Sequence, residues 1–526
     1  MPSRSIALLA VLLIVGAVGH GRAIAASASD GAAIYAQHCA QCHGADRLGG
    51  TGPALLPESL ERLRPAAARV VIRDGRTATQ MPAFGDLLDG AAIDAVADLI
   101  HAPTRISPIW GRSEIETSHI AEPSAGQGVD RPVFAADPLN LFVVVESGDH
   151  HITLLDGDRF EPIHRFPTRY ALHGGPKFSP DGRYVYLASR DGWIAKYDLY
   201  ALALVAEIRA GINTRNLALS GDGRFVAVAN YLPHTLVLLD ARDLALIDVL
   251  KVEDARRTRT SRVSAVYQAR PRKSFILALK DIAEIWEIST DETARPVYPG
   301  LVHSHEQGAV EAVGARRGLF ALRRIAIDQP LDDFQFDESY RHLLGSSRET
   351  GRTAVVNLNV GRQIGWVELD GLPHLASGIT WTQGGRRVMA TPHLSRGEIS
   401  VFDTSDWRLV GSVKLPGPGF FLRSHEATPY AWTDSMLGKQ RDGIHIIDKR
   451  SLTLVRTLTP APGRTAAHVE FTRDGRHALV SVWDMDGALI VYDAQTFAEV
   501  KRLPMVRPSG KYNVFNKISL SEGTSH

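Results

Sequence analysis

Three stretches of this 526-residue chain share one local pattern: Phe178-Ser-Pro-Asp-Gly-Arg-Tyr-Val-Tyr-Leu, Leu219-Ser-Gly-Asp-Gly-Arg-Phe-Val-Ala-Val and Phe471-Thr-Arg-Asp-Gly-Arg-His-Ala-Leu-Val. An Asp-Gly turn between alternating apolar residues predicts two short antiparallel strands. Looser copies begin at Phe134, Ala269, Phe336, Trp381 and Ser424, which makes eight. After the second strand of a copy comes a loop and then an apolar run closed by aspartate, as in Leu236 to Asp240, Ile399 to Asp403 and Ile490 to Asp493. Four short strands recurring every ~40 to 50 residues predict a β-propeller, whose radial closure hides the sheet edges. Eight blades fit the count, with seven as the structural alternative. The longer interval between the fourth and fifth copies predicts a loop insertion rather than a ninth blade.

The residues before the repeats carry different chemistry. Cys39-Ala40-Gln41-Cys42-His43 uses the only two cysteines of the chain. Cys-x-x-Cys-His is the pattern of covalent c-type haem attachment, with two thioether bonds and an adjacent imidazole on the iron. A redox disulfide or half of a zinc site are the alternatives, but zinc needs further Cys or His pairs and none follows in this segment. Asp30 predicts the N-cap of a helix that carries Ile34 and Tyr35 and ends at the haem motif. Asp89 to His101 shows apolar residues at helical spacing, and Pro103 ends that pattern. Between them Met81-Pro82 offers a thioether as sixth iron ligand, where packing in a small core is the competing role. His38 and His101 are weaker candidates. This arrangement resembles a class I cytochrome c, so the expected fold is a small all-α cytochrome c domain followed by an all-β eight-bladed propeller.

A basic start at Arg4, an apolar run from Ile6 to Val18 and the small-x-small triplet Ala23-Ile24-Ala25 predict a signal peptide over residues 1–25. Cleavage would leave a periplasmic chain with no membrane span, since the apolar run is shorter than the ~20 residues a span needs. Lys plus Arg is 59 and Asp plus Glu is 58, so no global field favours nucleic acid or an anionic membrane. The expected organisation is a cytochrome c domain over 29–103, a polar linker over 104–130 and the propeller over 131–526.

A c-type domain ahead of an eight-bladed propeller resembles the cytochrome cd family, which comprises nitrite reductase and its relatives in haem d1 biosynthesis. The resemblance covers essentially the whole mature chain. It implies that His173, in Tyr170-Ala-Leu-His173, is the proximal iron ligand of haem d1, with Gly174-Gly175 letting the macrocycle approach the backbone. It implies that Arg190, Arg215 and Arg262 bind the carboxylates of haem d1, for which guanidinium forks are suited. Leu372-Pro373-His374 resembles a distal histidine segment. The second distal histidine of the reductases is replaced by Asp332, in Pro330-Leu331-Asp332-Asp333, and an anionic carboxylate is a poor proton donor to nitrite.

The C-terminal segment Ser509-Gly-Lys-Tyr512-Asn-Val-Phe resembles that of the dehydrogenase acting last in haem d1 formation. There a propionate of dihydro-haem d1 becomes an acrylate, and His468 and Tyr512 match the acid/base positions. What this resemblance implies is a periplasmic oxidoreductase whose substrate is dihydro-haem d1. Its covalent haem c passes electrons to a periplasmic acceptor, and nitrite reductase is a candidate recipient of the finished cofactor. A divergent nitrite reductase and a haem d1 carrier are the alternatives.

Overall fold

A computed structural model describes residues 30–60, 63–76, 81–104, 108–122, 124–294 and 318–525. The expected signal peptide and the long interval between the fourth and fifth repeats, at 295–317, lie outside the described residues. The N-terminal unit is helical: Gly31–His38, Ala40–His43, Pro57–Leu60, Pro65–Asp74 and Gly90–His101. Asp30 caps the first helix by accepting from the N–H groups of Ala32 and Ala33, and Asp89 caps the last through Ala92. The apolar stripe read from the sequence of that last helix, with Ile93, Val96, Ala97 and Ile100, packs against Tyr35, Leu60, Ala68 and Ile72.

Eight antiparallel sheets follow, each with four propeller strands. The Asp-Gly-Arg turns show why the repeat reads as it does. Asp181, Asp222 and Asp474 each accept from a hydroxyl two residues earlier, on Ser179, Ser220 and Thr472. Each also accepts from the N–H of the following arginine at 3.0–3.2 Å, and the glycine between them takes φ of +70° to +76°. Neighbouring blades then share apolar clusters. Ala227, Leu236 and Leu238 of one blade, for example, meet Val266, Phe275 and Trp286 of the next.

The copy at Phe134 is the exception. Its blade has Leu141–Glu146, His151–Asp156 and Glu161–Pro167, but its inner strand is Pro508–Asn513 from the far end of the chain. That strand runs antiparallel to Leu141–Glu146 with Val143 opposite Tyr512, so first and last segments clasp in one sheet and close the ring.

The segment read as a polar linker is docked. It forms a helix, Arg112–Thr117, and a short strand, Ile120–Ala121, which adds a fifth strand to the blade containing Ala203–Arg209. Trp110 donates its indole N–H to the carbonyl of Arg209 at 2.9 Å. Beside it, Ala54 and Leu56 of the helical domain pack on Ile212 of the propeller, with Leu48 and Leu232 at the margin. The two domains therefore meet through a small apolar contact. Among the described residues no helix is long and apolar enough to cross a membrane.

The blades also bury imidazoles. Burial pushes His393 and His445 down to about 4 from the ordinary 6.5. Below pH 6.5 the unfolded chain therefore binds protons that the folded one refuses, and stability is lost as pH falls from 6.5 toward 4. Each histidine contributes about 1.4 kcal/mol per pH unit in that window. The expected result is a melting temperature that falls between pH 7 and pH 5; one that is flat over this range would contradict it.

Candidate functional site

The haem motif sits at the junction of the first two helices, with Cys39 buried and Cys42 half-buried, neither in a disulfide. Burial and the neighbouring Cys42 push the Cys39 thiol up to about 11. His43 is buried, and its Nδ1 lies 2.8 Å from the carbonyl of Pro53. That bond places the ring proton on Nδ1 and leaves the Nε2 lone pair for a metal. A Cβ on Gly52 would stand 2.6 Å from the imidazole ring, so only glycine leaves His43 this position. Met81 packs at the edge of the same core, and its carbonyl accepts from the N–H of Arg76 at 3.1 Å. Two thiols, an imidazole presenting Nε2 and a thioether fit a covalent haem c. His101 does not compete, because both its ring nitrogens are bonded to the carbonyls of Ala97 and Leu63.

In the propeller the candidates gather at the ends of inner strands around the central channel. His173 repeats the geometry of His43: its Nδ1 lies 2.7 Å from the carbonyl of Arg215, and its Nε2 lies 2.8 Å from an Arg190 guanidinium nitrogen. Arg215 approaches the same imidazole at 3.2 Å. Burial first, then Arg190 and Arg215, hold His173 well below its ordinary pKa, so it is neutral. Gly174 and Gly175 both have positive φ, and their Cα atoms are packed on Asn216 and Tyr512. Both take a left-handed turn in which a side chain would crowd its neighbours.

His374 shows the pattern a third time, with Nδ1 2.7 Å from the carbonyl of Phe420 and the two rings 4.0 Å apart. Its Nε2 lies 3.9 Å from Asp333. The sequence reading placed weight on Asp332, but that carboxylate pairs with Lys280 at 2.7 Å and accepts the N–H of Arg348. Asp333, one residue on, is the one facing His374; it also accepts from Tyr267 and from the N–H of Ala376. Arg262 is not on the surface either. It is 2% exposed and its guanidinium fork is engaged by Asp281 at 2.5 and 2.9 Å, so the face that would take a substrate carboxylate holds a protein carboxylate. Among the described residues Arg190 and Arg215 carry no such carboxylate: both approach His173, and Arg215 also donates to the carbonyl of Ser264.

The channel concentrates positive charge. Burial and then Arg215 push Arg190 down to about 10, and burial with Arg423 pushes Lys177 down to about 8. The Arg423 Nε is buried without a hydrogen-bond partner. Cations held this way favour a ligand that brings several carboxylates.

His468 differs from the other three histidines. It is 1% exposed, yet neither ring nitrogen has a hydrogen-bond partner. The strand Ala466–Phe471 bulges there: Ala467 pairs with Ser481 and Val469 with Val480, leaving His468 out of the ladder at φ +55°. The bulge is held by Lys511, which donates to the His468 carbonyl and to Ser481 Oγ. The imidazole lies between the rings of Phe421 at 4.6 Å and Tyr512 at 5.0 Å. Burial, then Lys511, Arg423 and Lys517, hold its pKa well below 6.5. Tyr512 stands on the closing strand, and its phenol is pushed up to about 12 by burial. A neutral, unbonded imidazole beside a protonated phenol is equipped to take a proton.

The sequence pointed to His173, His374, His468 and Tyr512 but not to Asp333, Lys511, Arg423 and Phe421. The last two share one blade, the other two come from two more, and no motif marks them.

The cytochrome D1 heme domain family matches residues 136–307 and 316–517, and the cytochrome C oxidase, cbb3-type, subunit III family matches residues 26–100. A dihydro-heme d1 dehydrogenase of Pseudomonas aeruginosa is 56% identical over 519 residues, covering 98% of this chain and 99% of that protein. A nitrite reductase of Stutzerimonas stutzeri is 24% identical over 540 residues, with 92% of each chain covered. The solved structure of dihydro-heme d1 dehydrogenase NirN in complex with DHE superposes with a TM-score of 0.78 at 56% identity, over 93% of this chain and 100% of that one.

The helical site makes a direct prediction. Met81→Ala should lower the haem midpoint potential in a redox titration, because a thioether opposite histidine raises it. Gly52→Ala should retain covalent haem on a denaturing gel yet alter the absorption spectrum, because the added methyl displaces His43. An unchanged potential in the first variant would remove Met81 as a ligand.

Proposed function

This chain belongs to the cytochrome d1 haem-domain family, alongside its dihydro-haem d1 dehydrogenases, and from that premise we propose how its residues act. It is an oxidoreductase of haem d1 formation, with a covalent haem c in its N-terminal domain and dihydro-haem d1 as substrate. The reaction turns a –CH2–CH2–COO⁻ side chain into –CH=CH–COO⁻, breaking two C–H bonds and releasing two protons and two electrons. His468 takes one of those protons at a ring nitrogen, and the other leaves to water. The observation that carries this assignment is its buried ring with neither nitrogen bonded.

Tyr512 keeps its proton at neutral pH and donates a hydrogen bond to the reacting carboxylate. Arg190 and Arg215 hold other carboxylates of the substrate. His173 and His374 ligate the substrate iron on its two sides, so that the macrocycle's periphery, not its metal, meets His468. The haem c, when bound, accepts electrons singly, and they end on a periplasmic acceptor. The signal-peptide pattern in the sequence of residues 1–25 supports that location, and nitrite reductase is the recipient proposed for the product. Nitrite reduction by this chain is disfavoured by the Lys280–Asp332 ion pair, which offers the substrate no imidazolium. A carrier alone would have no use for a strained, unbonded histidine.

Mixing the purified protein anaerobically with dihydro-haem d1 and an electron acceptor should yield a tetrapyrrole lighter by two hydrogens; an unchanged mass defeats the proposal. His468→Asn is the variant of choice, since asparagine tolerates the left-handed backbone. Its kcat should fall by about 10²- to 10⁴-fold, and full activity would end the base assignment. With its pKa held well below 6.5, His468 stays neutral through mildly acid pH. The kcat should therefore hold as pH falls through 6.5, and an acid limb centred at 6.5 or above would contradict this.

A further inference from the structure

The blade between those of His374 and His468 carries a carboxylate that touches neither histidine and reaches both. Asp434, at the end of the strand Tyr430–Asp434, is 0% exposed. Its Oδ1 accepts from the N–H of Phe420 at 2.9 Å and of Met436 at 3.2 Å, and its Oδ2 accepts from the N–H of Phe421 at 2.9 Å. Both oxygens are thus spent on one dipeptide and its neighbour. A Cβ on Gly419 would stand 2.4 Å from the Asp434 carbonyl, so the chain runs directly over this strand end.

The two clamped residues serve different histidines, although their own rings lie 4.8 Å apart. Phe420 gives its carbonyl to Nδ1 of His374 and lies ring to ring with it. Phe421 lies against His468, and its own carbonyl accepts from Thr433 Oγ1 at 2.8 Å. His468 has no hydrogen bond to orient its ring, so the planes of Phe421 and Tyr512 decide where its nitrogens point. We propose that Asp434 is the positioning residue for both halves of the site, setting the His374 tautomer through Phe420 and the His468 ring through Phe421.

This rests on His374 as iron ligand and His468 as base. A carboxylate receiving backbone N–H groups makes stronger bonds than a neutral acceptor. An amide in its place turns one acceptor into an NH2 group aimed at an N–H donor. One arm of the clamp then opens.

The test uses the full-length, haem-loaded protein. Dihydro-haem d1 is bound anaerobically, its absorption spectrum is recorded, and kcat and KM are measured with an electron acceptor. Asp434→Asn is expected to shift the bound spectrum toward that of His374→Ala and to lower kcat on the order of tenfold or more, as small displacements of catalytic groups do. Phe420→Leu should reproduce the spectral change, and Phe421→Leu the kcat loss with KM and spectrum near wild type. These two variants keep the test intact if Asp434→Asn does not fold.

A folded Asp434→Asn with wild-type spectrum and kcat would overturn the inference, as would wild-type behaviour of both phenylalanine variants. If His374→Ala left the bound spectrum unchanged, the iron-ligand reading would fail first and take the clamp with it. If His374→Ala changed the spectrum while Phe420→Leu and Asp434→Asn did not, only the clamp would be overturned.

Discussion

The three imidazoles read as iron ligands share one kind of contact, a ring Nδ1 against a backbone carbonyl: His43 on Pro53, His173 on Arg215 and His374 on Phe420, all at 2.7–2.8 Å. The contact selects the tautomer and leaves Nε2 as the lone-pair nitrogen that an iron ligand needs, which in His173 meets the guanidinium of Arg190. His468 is the counterexample. A bulge leaves its ring without any such anchor, and under the proposed function the same residue type serves as a proton acceptor instead of a ligand.

Charge is the second constraint. In the channel burial lowers Arg190, Lys177 and Arg423, with Arg215 adding to the first and Arg423 to the second, whereas in Arg215 burial is outweighed by Tyr231, Tyr267, Asp333 and Asp332. Tyr231 responds from within the same group: burial raises its phenol pKa, but Lys280, Arg215 and Arg190 pull harder and hold it below its ordinary value. A tetrapyrrole bearing several carboxylates relieves this repulsion, so stability and substrate binding are linked through the same side chains.

Much of this was legible before any coordinates. Cys39 to His43 and the Asp-Gly-Arg turns are local chemistry, in which every partner lies within a few residues, and such patterns read directly. The inner strand of the first blade did not, because it is supplied from residues 508–513 and no local signal at Phe134 announces that. Arg262 was legible as a special arginine but not as a paired one, since Asp281 belongs to the following turn of the same blade. Asp333, Lys511 and Asp434 were invisible for a related reason. Asp333 and Lys511 are unremarkable until radial closure brings another blade's backbone to them, and Asp434 until the loop entering its own blade folds over its strand end.

The clasp between the ends of the chain has a consequence for biogenesis. Tyr512 and Lys511 lie on the last strand to emerge in synthesis, and that strand is also the one that shuts the ring. A chain cut short before residue 508 would have its haem motif and most of its blades, yet lack the phenol and the ammonium that holds the bulge. With the roles proposed for His468 and Tyr512, reactivity toward the substrate waits for completion of the fold, and a half-made molecule is silent rather than faulty.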